Sequence, residues 1–461
     1  MDLSRDRRLF DELDRDRDGR IWAWELLGPL GRAGILPGDP RIRSALGGLQ
    51  VDHQPVQLDF AQFTAIAHSG DGLVLRALEG SLAVADFPAL TADIARMHDE
   101  VLQVTDGRVA DYIPRLAEVD PDQLAIAVCT VDGQQFSVGN ADVPFCVQSV
   151  TKPFMYALAL EEHGAEAVHR RVGQEQSGGA FNELVLNPAG LPHNPMINAG
   201  AMASASLIRP ELPLADRYDH VARTWARMTA ARPGFDNATY LSEQATGYRN
   251  YALADEMRNK GVLPASTDPR QVAEFYFQNC SIEVDASMLA AAAGTLAGGG
   301  RSPFADDRVF APDTVRNTLS MMSTSGMYDY SGEFFREIGR PAKSGVSGAV
   351  ILVVPDVMGV CVWSPRLDDR GNSVRGIEFC RRLAAEYRLH VFDSDSAKRD
   401  LRGTAREVGA SARDESAVAD VARRALGGLP EPAAVRADSG PPPWRPRQQT
   451  GGQAPEYDWP R

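Results

Sequence analysis

Two apolar hairpins, one centred near residue 132 and one near residue 356, bracket some 200 residues of helical and loop-like sequence. This order restricts the fold more than any other feature of the chain. LAIAVCTVDGQQFSVGN (124–140) is a pair of β-rich runs around Asp132-Gly133, the strongest short-range hairpin signal. GAVILVVP (348–355) and MGVCVWSP (358–365) flank Asp356-Val357, and both are apolar enough to be central strands. Between them, VARTWARM, NYALADEMRNKG and DASMLAAAAGTLAGGG have helical character, and GIEFCRRLAAEYRL closes the region as a further helix. Strands early, strands late and helices between predict an α+β arrangement, with an antiparallel sheet and helices segregated beside it.

Inside the insertion, PFCVQSVTKPFMYALAL (144–160) places Ser149 and Lys152 three residues apart at the start of an apolar helix. Positions i and i+3 share a helical face about 5–6 Å apart at Cβ, so an amine there can take the proton of the hydroxyl. Pro153 is tolerated only in the first turn, which puts Ser149 at the helix edge, where unpaired N–H groups can stabilise an oxyanion. The alternative is an N-cap serine beside a solvated lysine. A lysine with its ordinary pKa near 10.4 is protonated at neutral pH, so a base at 152 requires desolvation or a nearby cation, and Lys343 could supply that charge.

Lys343-Ser344-Gly345 stands immediately before the strand GAVILVVP. With Ser149-x-x-Lys152 it resembles the paired elements of serine acyl enzymes of the β-lactamase and penicillin-binding type. The words ADYIPRLAE, PHNPMINAGA, YLSEQATGYRNYALA, EFYFQNCSIEV, GMYDYSGEF and AKSGVSGAVILVVP narrow this further. Over about residues 100–395 the chain resembles the serine-dependent glutaminases of that fold. The resemblance implies hydrolysis of L-glutamine to L-glutamate and ammonia, with Ser149 as nucleophile, Lys152 as base, Tyr328 relaying the proton to the leaving ammonia, and Tyr112 near the same serine. It also implies that Asn198, Glu243, Asn250 and Tyr276 hold the α-amino and α-carboxylate groups, and that the N–H groups of Val346 and Ser149 form the oxyanion hole. Glu243 and Asn250, seven apart, can face one pocket if their segment is one helix. A β-lactamase or D,D-peptidase is disfavoured, because no Ser-Asp-Asn middle motif occurs. The remaining alternative, a calcium-responsive binding protein with a vestigial enzyme domain, is opposed by the intact Ser149, Lys152, Tyr328 and Lys343.

Ahead of this region, DRDRDGRIWAWE (14–25) fits the EF-hand calcium loop position by position. Asp14, Asp16 and Asp18 offer carboxylates, Gly19 the turn, Arg20 its backbone carbonyl, and Glu25 a closing bidentate carboxylate. Ile21 is the apolar residue that pairs with a partner loop, and Trp22 leaves one position to water. A second helix-loop-helix follows with Leu58 in the pairing position. Its ligand positions hold Val51, His53 and Pro55, so it is expected to be structural only. The expected organisation is a small all-α EF-hand-like domain at 1–70, a helical linker at 71–103, a catalytic domain at 104–395 and a tail at 396–461. Eight prolines fall between Pro430 and Arg461, a composition that cannot bury enough apolar area to order itself. A short helix, ESAVADVARRAL, is expected before them.

The formal charge of −14 argues against nucleic-acid or anionic-membrane partners. Five scattered cysteines without a Cys-x-x-Cys pair read as reduced core residues. With no apolar leader and no run of about 18 apolar residues, a cytoplasmic protein is expected. No organic cofactor is expected, only Ca²⁺ at the N-terminal loop, and the resemblance implies a homodimer or homotetramer.

Overall fold

The computed structural model describes residues 3–47, 56–178, 186–394 and 397–402. They all belong to one unit, Met1–Ala425; the second, Leu426–Arg461, lies outside the described residues together with the helix expected at 415–426. At the N-terminus the amphipathic helix Leu3–Leu13 buries Leu9 and Phe10, then an acidic loop leads into strand β1 (Arg20–Trp22) and the helix Ala23–Arg32. A second outline follows, with the helix Pro40–Ala45, strand β2 (Gln57–Asp59) and the helix Phe60–Ala67. Asp59 and Gln62 cap that last helix reciprocally. β1 and β2 pair antiparallel with Ile21 opposite Leu58, and both side chains are buried in one cluster with Phe10, Leu26 and Phe63. This two-stranded ladder is a departure from an all-helical module, and it pairs the backbone groups of the two short strands with each other. Val51, His53 and Pro55 lie outside the described residues.

Strands β3 (Ala125–Thr130) and β4 (Gln135–Gly139) form the first expected hairpin. A three-stranded sheet uses β5 (Phe145–Cys146), β6 (Gly234–Phe235) and β7 (Ile282–Val284) in the order β5-β7-β6. The main sheet adds β8 (Ala342–Ser344), β9 (Ala349–Val354) and β10 (Met358–Trp363), giving the antiparallel order β4-β3-β10-β9-β8. Both faces of its centre are buried. Ala349, Ile351 and Val353 point into one core, and Val350, Leu352 and Val354 into another.

Helices therefore cover the sheet on two sides rather than standing to one side of it. The helix Phe87–Leu102, expected within a connecting segment, lays Leu90, Ile94, Met97 and Val101 against one face beside the helix Val374–Glu386. On the other face lies the alanine-rich helix Ala286–Ala297. Its small residues let it sit directly on β10, where a Cβ on Gly359 would come within 2.2 Å of the Gly294 nitrogen. The turn between β3 and β4 is gripped by the N-terminal region: Arg41 donates to the Asp132 carbonyl at 2.9 Å, and buried Gln134 donates to the Ala33 and Val84 carbonyls at 2.9 and 3.1 Å.

Candidate active site

Ser149 lies in the 3₁₀ turn Gln148–Thr151, which runs directly into the helix Lys152–His169. The residue before it, Gln148, has φ +48°, a left-handed conformation that costs energy for a side chain with a Cβ and marks a constrained site. Both Ser149 and Lys152 are buried, the lysine completely, at 0% exposure. Lys152 Nζ donates to Ser149 Oγ at 3.0 Å and to Asn198 Oδ1 at 2.7 Å. Burial pulls the Lys152 amine down to about 8. A minor neutral fraction, which grows as pH rises through about 8, is thus present near neutral pH.

Asn198 opens the helix Asn198–Ala205, whose close start needs Gly200, since a Cβ there would stand 1.9 Å from the Asn194 carbonyl oxygen. Its Oδ1 also accepts from Tyr276 Oη at 3.2 Å, and its Nδ2 donates to Asn250 Oδ1 at 3.0 Å. Asn198 therefore orients the lysine as well as standing among the expected substrate ligands. Tyr276 is on the helix Pro269–Cys280, and its ring lies 5.9 Å from the Lys152 amine.

Glu243 and Asn250 do not share one helix. Asn237–Thr246 and Tyr248–Asn259 are separate helices that meet at Gly247, where a Cβ would come within 2.5 Å of the Phe277 ring and 2.6 Å of the Glu243 carbonyl oxygen. They reach the site from two directions, Asn250 through Asn198 and Glu243 through Tyr112. The single hydroxyl proton of Tyr112 is shared between two acceptors, Glu243 Oε1 at 3.1 Å and Gln148 Oε1 at 3.2 Å. The Tyr112 residue is half exposed while its hydroxyl points inward, so its ring covers the carboxylate from outside. Burial pushes the Glu243 carboxyl up, opposed by the Tyr112 and Gln148 side chains and the charge of Lys152.

The third side comes from the sheet edge. On β8, Lys343 is fully buried, donates to the Ser344 carbonyl at 2.6 Å, and lies 4.6 Å from the ring centre of Tyr328. Burial, then the like charge of Lys152, hold it well below its ordinary value. The expected help from a Lys343 charge is corrected: desolvation is the leading cause that lowers Lys152, and Lys343 is itself held well below its ordinary value by burial, so it is a poor source of positive charge. Tyr328, at φ +54°, has its phenol toward Ser149, and burial keeps that phenol protonated. A Cβ on Gly345 would stand 3.0 Å from the Val147 carbonyl oxygen and 3.4 Å from the Val150 nitrogen. The missing side chain lets the end of β8 press on the serine turn.

Sequence reasoning missed Gln148. Its buried amide bridges Tyr112 to the serine turn, and the only signal was its place next to Ser149. At the N-terminus, Asp14, Asp16 and Asp18 bring carboxylate oxygens within 4.8 Å of one another. Glu25 is not in that group; its Oε2 accepts the Trp22 N–H at 2.8 Å and caps the following helix.

A family model described as Glutaminase matches residues 107–392. Putative glutaminase 3 of Caenorhabditis elegans is 40% identical over 408 residues, covering 86% of this chain and 70% of that protein. Glutaminase liver isoform, mitochondrial, of Rattus norvegicus is 41% identical over 366 residues, covering 78% of this chain and 61% of that one. The chain thus spans less than two thirds of that relative's length. For the glutaminase of Trichormus variabilis the figures are 40% over 319 residues, 69% and 94%. Among solved structures, native Mglu is similar with a TM-score of 0.63 and 41% identity, covering 67% of this chain and 75% of that one. The probable glutaminase ybaS gives 0.64, 34%, 67% and 99%.

Proposed function

Because the chain belongs to the glutaminase family, we propose that it hydrolyses L-glutamine to L-glutamate and ammonia through a glutamyl ester on Ser149. The observation that carries this reading is the buried Lys152 amine, 3.0 Å from Ser149 Oγ and brought down to about 8. Neutral Lys152 takes the hydroxyl proton as Oγ attacks the side-chain amide carbon, and the oxyanion is met by the N–H groups of Ser149 and Val346. Tyr328 donates its proton to the departing nitrogen and is reprotonated from Lys152. Water then attacks the ester, the proton returns to Ser149, and glutamate leaves. Lys343, placed under the Tyr328 ring, orients that phenol. The Ser-x-x-Lys helix start and the Lys-Ser-Gly edge strand support a fold of the β-lactamase and penicillin-binding type.

Recognition of glutamine needs an anion for its ammonium, and buried Glu243 is that group, with Asn198, Asn250, Tyr276 and Tyr112 around the α-carboxylate and the rim. Glu243→Gln is expected to raise KM about 10- to 100-fold, the equivalent of about 1.5–3 kcal/mol for a hydrogen bond to a charge, with a smaller change in kcat. An unchanged KM with slowed turnover would move Glu243 into the chemical step.

The pH profile tests the base. Lys152 acts when neutral, and its neutral fraction grows as pH rises through about 8. The expected kcat/KM therefore climbs between pH 7 and 9 with a midpoint near 8. A profile flat over that range contradicts Lys152 as the base.

The acidic N-terminal loop is proposed to bind calcium through Asp14, Asp16, Asp18, the Arg20 carbonyl and Glu25. Clustered carboxylate oxygens suit a hard cation, and the antiparallel β1–β2 pairing supports the reading of two helix-loop-helix outlines side by side. Calcium would supply charge neutralisation there, drawing Glu25 from its capping bond. Trp22 and Trp24 report the change: calcium is expected to alter their fluorescence with Kd about 10⁻⁷–10⁻⁵ M, and Glu25→Gln to abolish the response. No calcium heat in calorimetry on the full chain would refute the site.

No organic cofactor is proposed. The five cysteines are free and buried, which supports a reducing, cytoplasmic setting, and among the described residues no helix is long and apolar enough to cross a membrane. A homodimer or homotetramer is proposed, to be decided by light scattering.

A further inference from the structure

At the far end of the edge strand from the active site lies a cavity of about 340 Å³ whose walls include Arg340, Arg388 and Arg402. Arg340 precedes Pro341 at the entry to β8, roughly 16 Å along an extended chain from Gly345. Two of these guanidinium groups are matched: Arg388 pairs with Asp400, and Arg402 reaches Asp356 at 3.4 Å. Asp393, a third acid of the wall, is taken by Lys398 at 2.8 Å. Arg340 makes no hydrogen bond or ion pair among the described residues, and its Nε is buried without a partner. Burial, with the like charge of Arg402 nearby, pushes it below its ordinary value. An unmatched buried donor costs free energy that a bound acceptor would recover.

We propose that this cavity is a second ligand site, separate from the active site, that takes a small monocarboxylate through the fork of Arg340. The guanidinium presents parallel N–H donors that match a carboxylate bidentately. Three aspartates among the lining groups oppose a doubly charged anion, so one carboxylate on one spare guanidinium is the balanced occupant. Of the apolar residues along the wall only Val391 is exposed, which leaves room for no more than a short hydrocarbon stem.

The test is thermal unfolding of the full chain in sodium butyrate, sodium phosphate or sodium chloride at equal ionic strength. Butyrate at tens of millimolar is expected to raise the melting temperature by on the order of 2–4 °C over chloride, with phosphate giving less. Arg340→Gln, checked for native circular dichroism and unchanged KM for glutamine, is expected to lose the butyrate response. Should that variant not fold, calorimetric titration of the wild-type chain with butyrate while glutamate saturates the active site replaces it, and binding is expected to persist. A response that survives Arg340→Gln, that glutamate abolishes, or that phosphate matches or exceeds would overturn the assignment, as would no response to butyrate.

Discussion

Ser149→Ala is expected to lower kcat by on the order of 10⁴–10⁶ with the fold intact, the scale on which loss of a serine nucleophile acts in other hydrolases. The substitution removes one oxygen from a buried 3₁₀ turn and no apolar packing. Its melting temperature should consequently stay close to that of the wild type. Glutamate release, followed by a coupled assay on protein free of host glutaminase, checks the prediction. Turnover within tenfold of wild type would remove Ser149 from the mechanism.

Loss of the base should be nearly as severe. Lys152→Ala is expected to lower kcat by on the order of 10³–10⁵, and the Ser149→Ala/Lys152→Ala double variant to be no worse than Ser149→Ala alone, since the two groups act as a unit. A double variant slower than either single one by the product of their effects would separate them. Lys152→Ala also carries a structural cost that Ser149→Ala does not. It leaves Asn198 Oδ1 with Tyr276 as its remaining partner and opens a buried cavity, so a destabilisation of about 1–3 kcal/mol is expected. Kinetics should be compared at temperatures where both variants are folded.

The hairpins could be read from the chain because their signals are local. Asp132-Gly133 sets a turn that few residue pairs can make, and Gly133 has φ +85° there. The uninterrupted apolar run of β9 matches a strand buried on both faces. What stayed hidden depends on contacts between distant segments. The helix Phe87–Leu102 looks like a connector by sequence, and only the apolar sheet beneath it makes it a layer of the fold. The helices of Glu243 and Asn250 meet at Gly247, where the Phe277 ring leaves no room for a side chain, and residue spacing carries no trace of Phe277.

The site shows the same division. Ser149 and Lys152 are three apart on one helix start, so their bond follows from the sequence. The grip of Asn198 on Lys152 spans 46 residues and follows only from the fold. The lowering of both amines was equally beyond the sequence, since it comes from their complete burial rather than from their spacing.

The central claim is a covalent glutamyl ester on Ser149. Wild-type protein mixed with excess glutamine and quenched in acid within the first turnover, then digested, allows the peptide spanning Ser149 to be weighed. The account predicts a glutamyl mass increment on that peptide, sensitive to hydroxylamine and missing from Ser149→Ala. An increment on another residue, or none while Ser149→Ala still turns over glutamine at the wild-type rate, would contradict it.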